Sequence, residues 1–293
     1  MSNSALKVLA ASGAKGDPVY VDDVFSTFLY LNDSSTSITI NNGINLSENG
    51  GLIWGKRRDG GGGGNEPALY DTERGLQYEL HLSETSAQFD RSGSNTVPTA
   101  TTTGCTTGNV SRLNGGTGEE QVLWMFRKQP GFFDIVTYTG DGNSGRTVNH
   151  NLGSVPGFMF VKKTNSTSDF TCYHRSTGAT KYGPLNDRDA FPTGTSIWND
   201  TAPTATQFTV GDNTRMNNSG DSYVAYLFAH DAQDFGEDSD EAIIKCGSYS
   251  GNSGTQTIDV GFEAQWVLIK NVTSGSTDWL WIVTGKQIGR AHV

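Results

Sequence analysis

The chain has 293 residues, enough for two or three domains of ordinary size. Its formal net charge of −10 excludes a nucleic-acid backbone as partner, since that surface calls for clustered Lys and Arg. The 14 Phe, 10 Tyr and 6 Trp, spread along the whole length, exclude a disordered chain; the surplus of Ser, Thr, Asn and Gly excludes long helices.

In chain order, the segment from Met1 to Ser12 holds one short apolar run, Leu6-Lys7-Val8-Leu9-Ala10-Ala11. It is shorter than the roughly 7–15 residues of a signal-peptide core and contains a lysine, so no secretory signal is expected. Nowhere does the chain approach the roughly 20 apolar residues of a membrane helix. Strand-like stretches follow: Phe28-Leu29-Tyr30, Ile38-Thr39-Ile40, then Gly51-Leu52-Ile53-Trp54-Gly55-Lys56. The pentaglycine Gly60 to Gly64 lacks the Lys-Ser/Thr of a phosphate loop and reads as a loop tip inserted after a strand. Further on come Gly118-Glu119-Glu120-Gln121-Val122-Leu123-Trp124-Met125-Phe126, Val136-Thr137-Tyr138-Thr139-Gly140, Thr147-Val148 and Pro156-Gly157-Phe158-Met159-Phe160-Val161-Lys162. After Gln207-Phe208-Thr209-Val210, with its period of two, come Gly220-Asp221-Ser222-Tyr223-Val224-Ala225-Tyr226-Leu227-Phe228, Gly247-Ser248-Tyr249-Ser250-Gly251, Thr257-Ile258 and Trp266-Val267-Leu268-Ile269-Lys270.

These stretches repeat. Tyr30, Tyr138 and Tyr249 are 108 and 111 residues apart, and Lys56, Lys162 and Lys270 are 106 and 108 apart. Gly118 to Phe126 aligns with Gly220 to Phe228 at a constant offset of 102. The period is too long for a solenoid and suits a domain with its own core. The units are 20–131, 132–239 and a third, cut short, at 240–287, after an N-terminal segment 1–19. The final Ile288-Gly289-Arg290-Ala291-His292-Val293 matches the translation of a sequencing adapter and is set aside. Continuous apolar runs such as Phe158–Val161 suit central strands covered on both faces. With glycine- and asparagine-rich turns between strands, the expected fold is all-β: tandem β-sandwiches, with the third truncated.

Little here points to chemistry. Cys105, Cys172 and Cys246 are too few and too irregularly spaced for a disulfide framework or zinc site, and read as small buried hydrophobes. His81, His150, His174 and His230 do not recur at equivalent places, and no His-Glu-x-x-His or Gly-x-Ser-x-Gly motif occurs. Asp231 to Glu241 carries six acids and reads as a solvated linker; a calcium site is the sharper reading, since carboxylates suit a hard cation, although the spacing fits no EF-hand loop. Glu237-Asp238-Ser239-Asp240-Glu241 has serine where a jelly-roll glycosidase would place its middle acid. No catalytic residue is assigned. A glycan site on a sandwich would use exposed aromatic rings with Asp and Asn, among Trp54, Tyr173, Tyr182 and Trp198. Trp54 reads as core from its central strand. Trp198, flanked by Asn199 and Asp200, with Tyr182, forms the candidate ligand-binding set.

Four stretches carry a family resemblance: Lys7-Val8-Leu9-Ala10-Ala11-Ser12-Gly13-Ala14; Val21-Asp22-Asp23-Val24-Phe25-Ser26-Thr27-Phe28-Leu29-Tyr30; Pro130-Gly131-Phe132-Phe133-Asp134-Ile135-Val136-Thr137-Tyr138; and Phe228-Ala229-His230-Asp231-Ala232-Gln233-Asp234-Phe235-Gly236. They resemble virion-associated proteins of marine tailed phages, of tail-fibre or tail-appendage type. The resemblance implies concanavalin-like, jelly-roll sandwiches in a virion, near a tip that contacts the host. It implies as partners a host cell-surface glycan or receptor and other virion proteins, including further copies of the chain. It brings no catalytic residues, and with no apolar run of membrane length no membrane insertion is expected. The chain departs from the pattern in its pentaglycine loop, and its third unit ends before a counterpart of Tyr70-Asp71-Thr72-Glu73-Arg74-Gly75. The same fold would also serve a carbohydrate-binding module of a secreted or surface protein. A glycan-cleaving depolymerase would need two carboxylates about 5–10 Å apart in a groove.

Overall fold

The computed structural model describes residues 17–33, 35–59, 66–93 and 96–283. The pentaglycine and the adapter-like tail lie outside them. In the first unit the strands are β1 (Phe25–Leu31), β2 (Thr39–Asn41), β3 (Gly51–Arg57), β4 (Ala68–Asp71), β5 (Tyr78–His81), β6 (Phe89–Asp90), β7 (Thr99–Thr101), β8 (Gly104–Thr106) and β9 (Glu120–Arg127). The second holds β10 (Phe133–Thr139), β11 (Arg146–Asn149), β12 (Phe158–Lys163), β13 (Thr171–His174), β14 (Gly183–Pro184), β15 (Gln207–Val210) and β16 (Ser222–Phe228); the third holds β17 (Trp266–Ile269) and β18 (Leu280–Val283). Single helical turns α1 (Val21–Val24), α2 (Leu46–Asn49), α3 (Thr195–Trp198) and α4 (Thr214–Asn217) join some of them.

The protein is all-β, and its sheets are antiparallel. A six-stranded sheet, β1-β9-β3-β4-β5-β6, lies over a three-stranded sheet, β2-β8-β7. A five-stranded sheet, β10-β16-β12-β13-β14, lies over the pair β11-β15. Within each sandwich the two sheets share a core: Ile40 and Cys105 meet Ile53, Tyr70, Leu123 and Met125 in the first, and Val148, Phe208 and Val210 meet Met159, Tyr173, Tyr223 and Leu227 in the second.

Successive side chains of a strand point to opposite faces, so the other face of each large sheet must also be accounted for. In β9, Leu123 and Met125 enter the sandwich core, while Val122, Trp124 and Phe126 point the opposite way. In β16, Tyr223, Ala225 and Leu227 face inward, while Val224, Tyr226 and Phe228 face out. The two outward faces meet each other in one continuous cluster, joined by Trp266, Leu268, Trp279 and Trp281 of the third unit. This is why the central strands read as unbroken apolar runs.

The three units touch pairwise around that cluster. The Trp54 ring lies 6.2 Å from Phe160 and 4.9 Å from Trp281, and Phe158 lies 6.1 Å from Trp279. Trp54 is fully buried, as expected from its central strand.

Candidate functional site

The candidate ligand-binding set surrounds α3. Trp198 is not an exposed ring: it is 1% accessible, and Tyr173 packs edge-on to it at 5.8 Å. The expectation of a surface Trp198 is therefore corrected. Its polar neighbours Asn199 and Asp200 mark the end of a helical turn whose last ring turns inward. Asn199 (φ 52°) and Asp200 (φ 49°) are both left-handed, a conformation Asn and Asp tolerate better than most side chains. The Asp200 N–H closes the turn onto the Thr195 carbonyl at 3.1 Å, and the Ser144 hydroxyl donates to Asn199 Oδ1 at 2.7 Å. Asp200 is exposed. Tyr182 packs at the opposite end of α3, so close to Gly194 that an added Cβ there would lie 2.4 Å from its ring. The Arg215 guanidinium stands 6.0 Å from the same ring and pairs with Asp169 at 2.8 Å. Tyr182, Asn199 and Asp200 thus bracket the two ends of α3, with Trp198 turned into the core between them.

Topology links Tyr182 to a polar cluster that sequence reasoning missed. The register of β13 with β14, carried one step further, places Tyr173 opposite Tyr182; the register of β4 with β5 likewise places Tyr70 opposite Glu79. Where the second unit has Tyr182, the first has a buried carboxylate. Glu79 accepts from the Tyr70 hydroxyl, from Arg91 Nη2 at 2.6 Å, and has His81 Nε2 at 2.5 Å. Burial alone would raise its pKa, but the hydrogen bonds from His81, Arg91 and Tyr70 prevail and hold it at about 2. A carboxylate so fully donated stays ionised at neutral pH and is a weak base. The alternation Glu79-Leu80-His81, acid and imidazole on one face, was the available signal.

A second polar network joins the units. The Tyr226 hydroxyl donates to Asp71 Oδ2 at 2.7 Å, and Arg74 Nε donates to the same oxygen at 2.6 Å. Arg74 reaches on to Gln88 at 3.0 Å, whose N–H donates across the junction to the Thr164 carbonyl at 2.9 Å. The Tyr70-to-Gly75 motif is therefore a junction clamp. Two of the three repeated lysines, Lys162 and Lys270, do similar work. Lys162 donates to the Thr85 carbonyl of the first unit at 2.8 Å and to the Ser168 carbonyl of its own. Lys270 donates to the Arg188 carbonyl of the second unit at 2.8 Å and to the Thr277 carbonyl of its own. Burial pulls the Lys162 ammonium down to about 8.

The acidic run is not a simple solvated linker. Phe235 within it is buried in the central cluster, bridges back to Glu241, and is followed by Gly236, whose N–H donates to the Val19 carbonyl at 3.0 Å. Tyr20 donates to Glu237 at 2.7 Å. One aromatic ring among six acids is enough to fold the run onto the first unit. Among the described residues, no three His, Cys, Asp or Glu side chains converge as a cation site. Cys105 and Cys172 are buried, and burial drives the thiols of Cys105 and Cys246 up to about 12, so neither is a ready nucleophile.

No curated protein and no solved structure matches the chain. One family model does, and it spans residues 21–288, across all three units. The chain belongs to the family described as a domain of unknown function, DUF7483.

Proposed function

We propose that the protein is a virion structural component of tail-fibre or appendage type, whose sandwiches hold a host-contacting surface at a fixed position. The observation that carries this reading is the shared aromatic cluster: the units bury their large sheets against one another instead of hanging on linkers. A body built this way transmits position and load, which a fibre or appendage requires. The resemblance of the stretches around Val21 to Tyr30 and Pro130 to Tyr138 supports the same reading. We assign the sandwiches to the jelly-roll, concanavalin-like type on that resemblance. The reading is non-enzymatic: the best-placed acid, Glu79, is ionised and fully engaged.

The partners under this reading are a host cell-surface glycan or receptor and other virion proteins, further copies of the chain among them. The exposed Asp200 beside left-handed Asn199, with Tyr182 at the other end of α3, favours a second reading as a carbohydrate-binding module of a secreted or surface protein. Fluorescently labelled protein, applied to marine bacterial cells with surface glycans intact or enzymatically stripped, tests both. Binding lost on stripping, and lost again in Tyr182→Ala, identifies a glycan contact at α3. Binding that survives stripping points to a protein receptor. A strict monomer that binds no strain and joins no virion protein would overturn the proposal.

A further inference from the structure

One end of the second large sheet gathers hydrogen-bond donors that the α3 contact does not use. β13 ends at His174, which pairs with Phe158 of β12; Phe158 pairs on its other side with Phe228, two residues before His230. Gly157 bridges the row. The Arg175 N–H donates to the Gly157 carbonyl at 2.9 Å, and the Gly157 N–H donates to the Phe228 carbonyl at 2.8 Å. A Cβ on Gly157 would stand 2.7 Å from the Cβ atoms of both His230 and Cys246, so the glycine leaves the room that those two side chains fill.

Both half-buried imidazoles are set as donors. The Ser176 N–H donates to His174 Nδ1 at 3.2 Å and the Cys246 N–H to His230 Nδ1 at 3.1 Å, which leaves the proton of each neutral ring on Nε2. The Arg175 guanidinium is exposed, and its charge bears on both rings. Among the described residues nothing accepts from the guanidinium or from either Nε2. Asp231, next to His230, is held by Lys245 at 2.8 Å.

The first unit fills the same places differently. Leu52 stands where Phe158 does, since it pairs with Phe126, and its partner in β4 is Asp71; the constant offset puts Lys128 at the place of His230. There the charges are paired: Arg74 with Asp71 at 2.6 Å, and Lys128 with Glu73 at 2.5 Å and Asp134 at 3.4 Å. In the second unit Arg175 takes the place of Thr72, and its charge has no such partner among the described residues.

We propose that His174, Arg175 and His230 form a site for a singly charged oxyanion, the carboxylate or sulfate ester of an acidic saccharide. A planar guanidinium offers two parallel N–H groups to such an anion, and each imidazole adds one. Burial keeps His174 at about 4 and holds His230 below its ordinary value, so both rings are neutral donors at pH 7. With Lys245 paired to Asp231, the net charge presented is the single one of Arg175. That matches a monoanion and not a phosphate dianion, and it is a local exception in a chain of net charge −10. The choice of a saccharide rests on the host-surface reading above; the oxyanion site itself does not.

The test titrates the full chain, at low salt and pH 7, with a hexuronate oligosaccharide, a sulfated hexose oligosaccharide, a neutral hexose oligosaccharide and inorganic sulfate alone. The expected result is saturable one-to-one binding of an acidic oligosaccharide, none of the neutral one, and movement of the His174 and His230 Cε1–H resonances on binding. Arg175→Gln, at an exposed position, should fold as the unaltered chain does and lose about tenfold or more in affinity. Asp231→Asn releases Lys245 and should tighten binding, a gain that misfolding does not imitate. Equal binding of acidic and neutral oligosaccharides, affinity unchanged in Arg175→Gln, or no binding of any probe would overturn the proposal. Binding of inorganic sulfate without either acidic oligosaccharide would overturn the saccharide as its source. The outcome separates from that of the host-surface reading: cell binding that Arg175→Gln leaves intact removes this site alone, whereas acidic-oligosaccharide binding by a protein that adheres to no strain keeps the site and removes that reading.

Discussion

At the scale of single residues, the polar groups that matter are those buried between strands. Glu79 keeps a pKa of about 2 in the folded state against an ordinary 4.5, so it stabilises the fold above pH 4.5 and loses that contribution as pH falls towards 2. The shift corresponds to roughly 3 kcal/mol. His174 acts in a neighbouring window: burial, then the charges of Arg175 and His230, hold it at about 4 against 6.5. The unfolded chain takes up that proton first, so stability declines as pH drops from 6.5 to 4. Urea titrations from pH 7 to 2.5 should show a two-stage loss, and Glu79→Gln should flatten the lower stage while costing about 2–3 kcal/mol at pH 7. Tyr226→Phe should cost about 1–2 kcal/mol by removing one donor from buried Asp71. An unchanged lower stage in Glu79→Gln would contradict the assignment. Of these partners only His81, two residues from Glu79, left a signal in the sequence; Tyr70, Glu79 and Arg91 come together only through strand register. Trp198 was misplaced for a related reason: its polar neighbours Asn199 and Asp200 belong to a turn end, and say nothing about where the ring points.

At the scale of elements, the strands themselves were legible. The runs Phe158–Val161 and Trp266–Ile269 are strands, and Gln207–Val210 is a strand over the core of its sandwich. The constant offset between Gly118–Phe126 and Gly220–Phe228 has a backbone counterpart: Gly118 and Gly220, in the turns two residues before β9 and β16, share the same φ of 82°. That region is unfavourable for a side chain, so Gly220→Ala should destabilise by about 1 kcal/mol even though its Cβ would meet open space. A chemical-denaturation midpoint equal to that of the unaltered chain would refute this. Less legible was the acidic run, where charge suggested a free linker and Phe235 decided otherwise.

At the scale of the whole molecule, composition and period pointed to separate sandwiches in a row, whereas the structure joins them. The missing information was which way the second apolar face of each large sheet turns. A continuous run shows that both faces are covered but not by what. Trp54 contacts rings from every unit, with Trp124 at 5.9 Å, Phe160 at 6.2 Å and Trp281 at 4.9 Å. Trp54→Ala should cost about 3–5 kcal/mol and should loosen the second and third units as well as its own. The proposed fibre or appendage role would depend on that coupling more than on any one side chain. The measurement that tests it most directly is scanning calorimetry of the full chain, comparing the calorimetric with the van't Hoff enthalpy. One transition with a ratio near unity, shifted as a whole by Trp54→Ala, is the predicted result. Two or more resolved transitions, of which Trp54→Ala moves only one, would show that the units fold independently and would contradict the account.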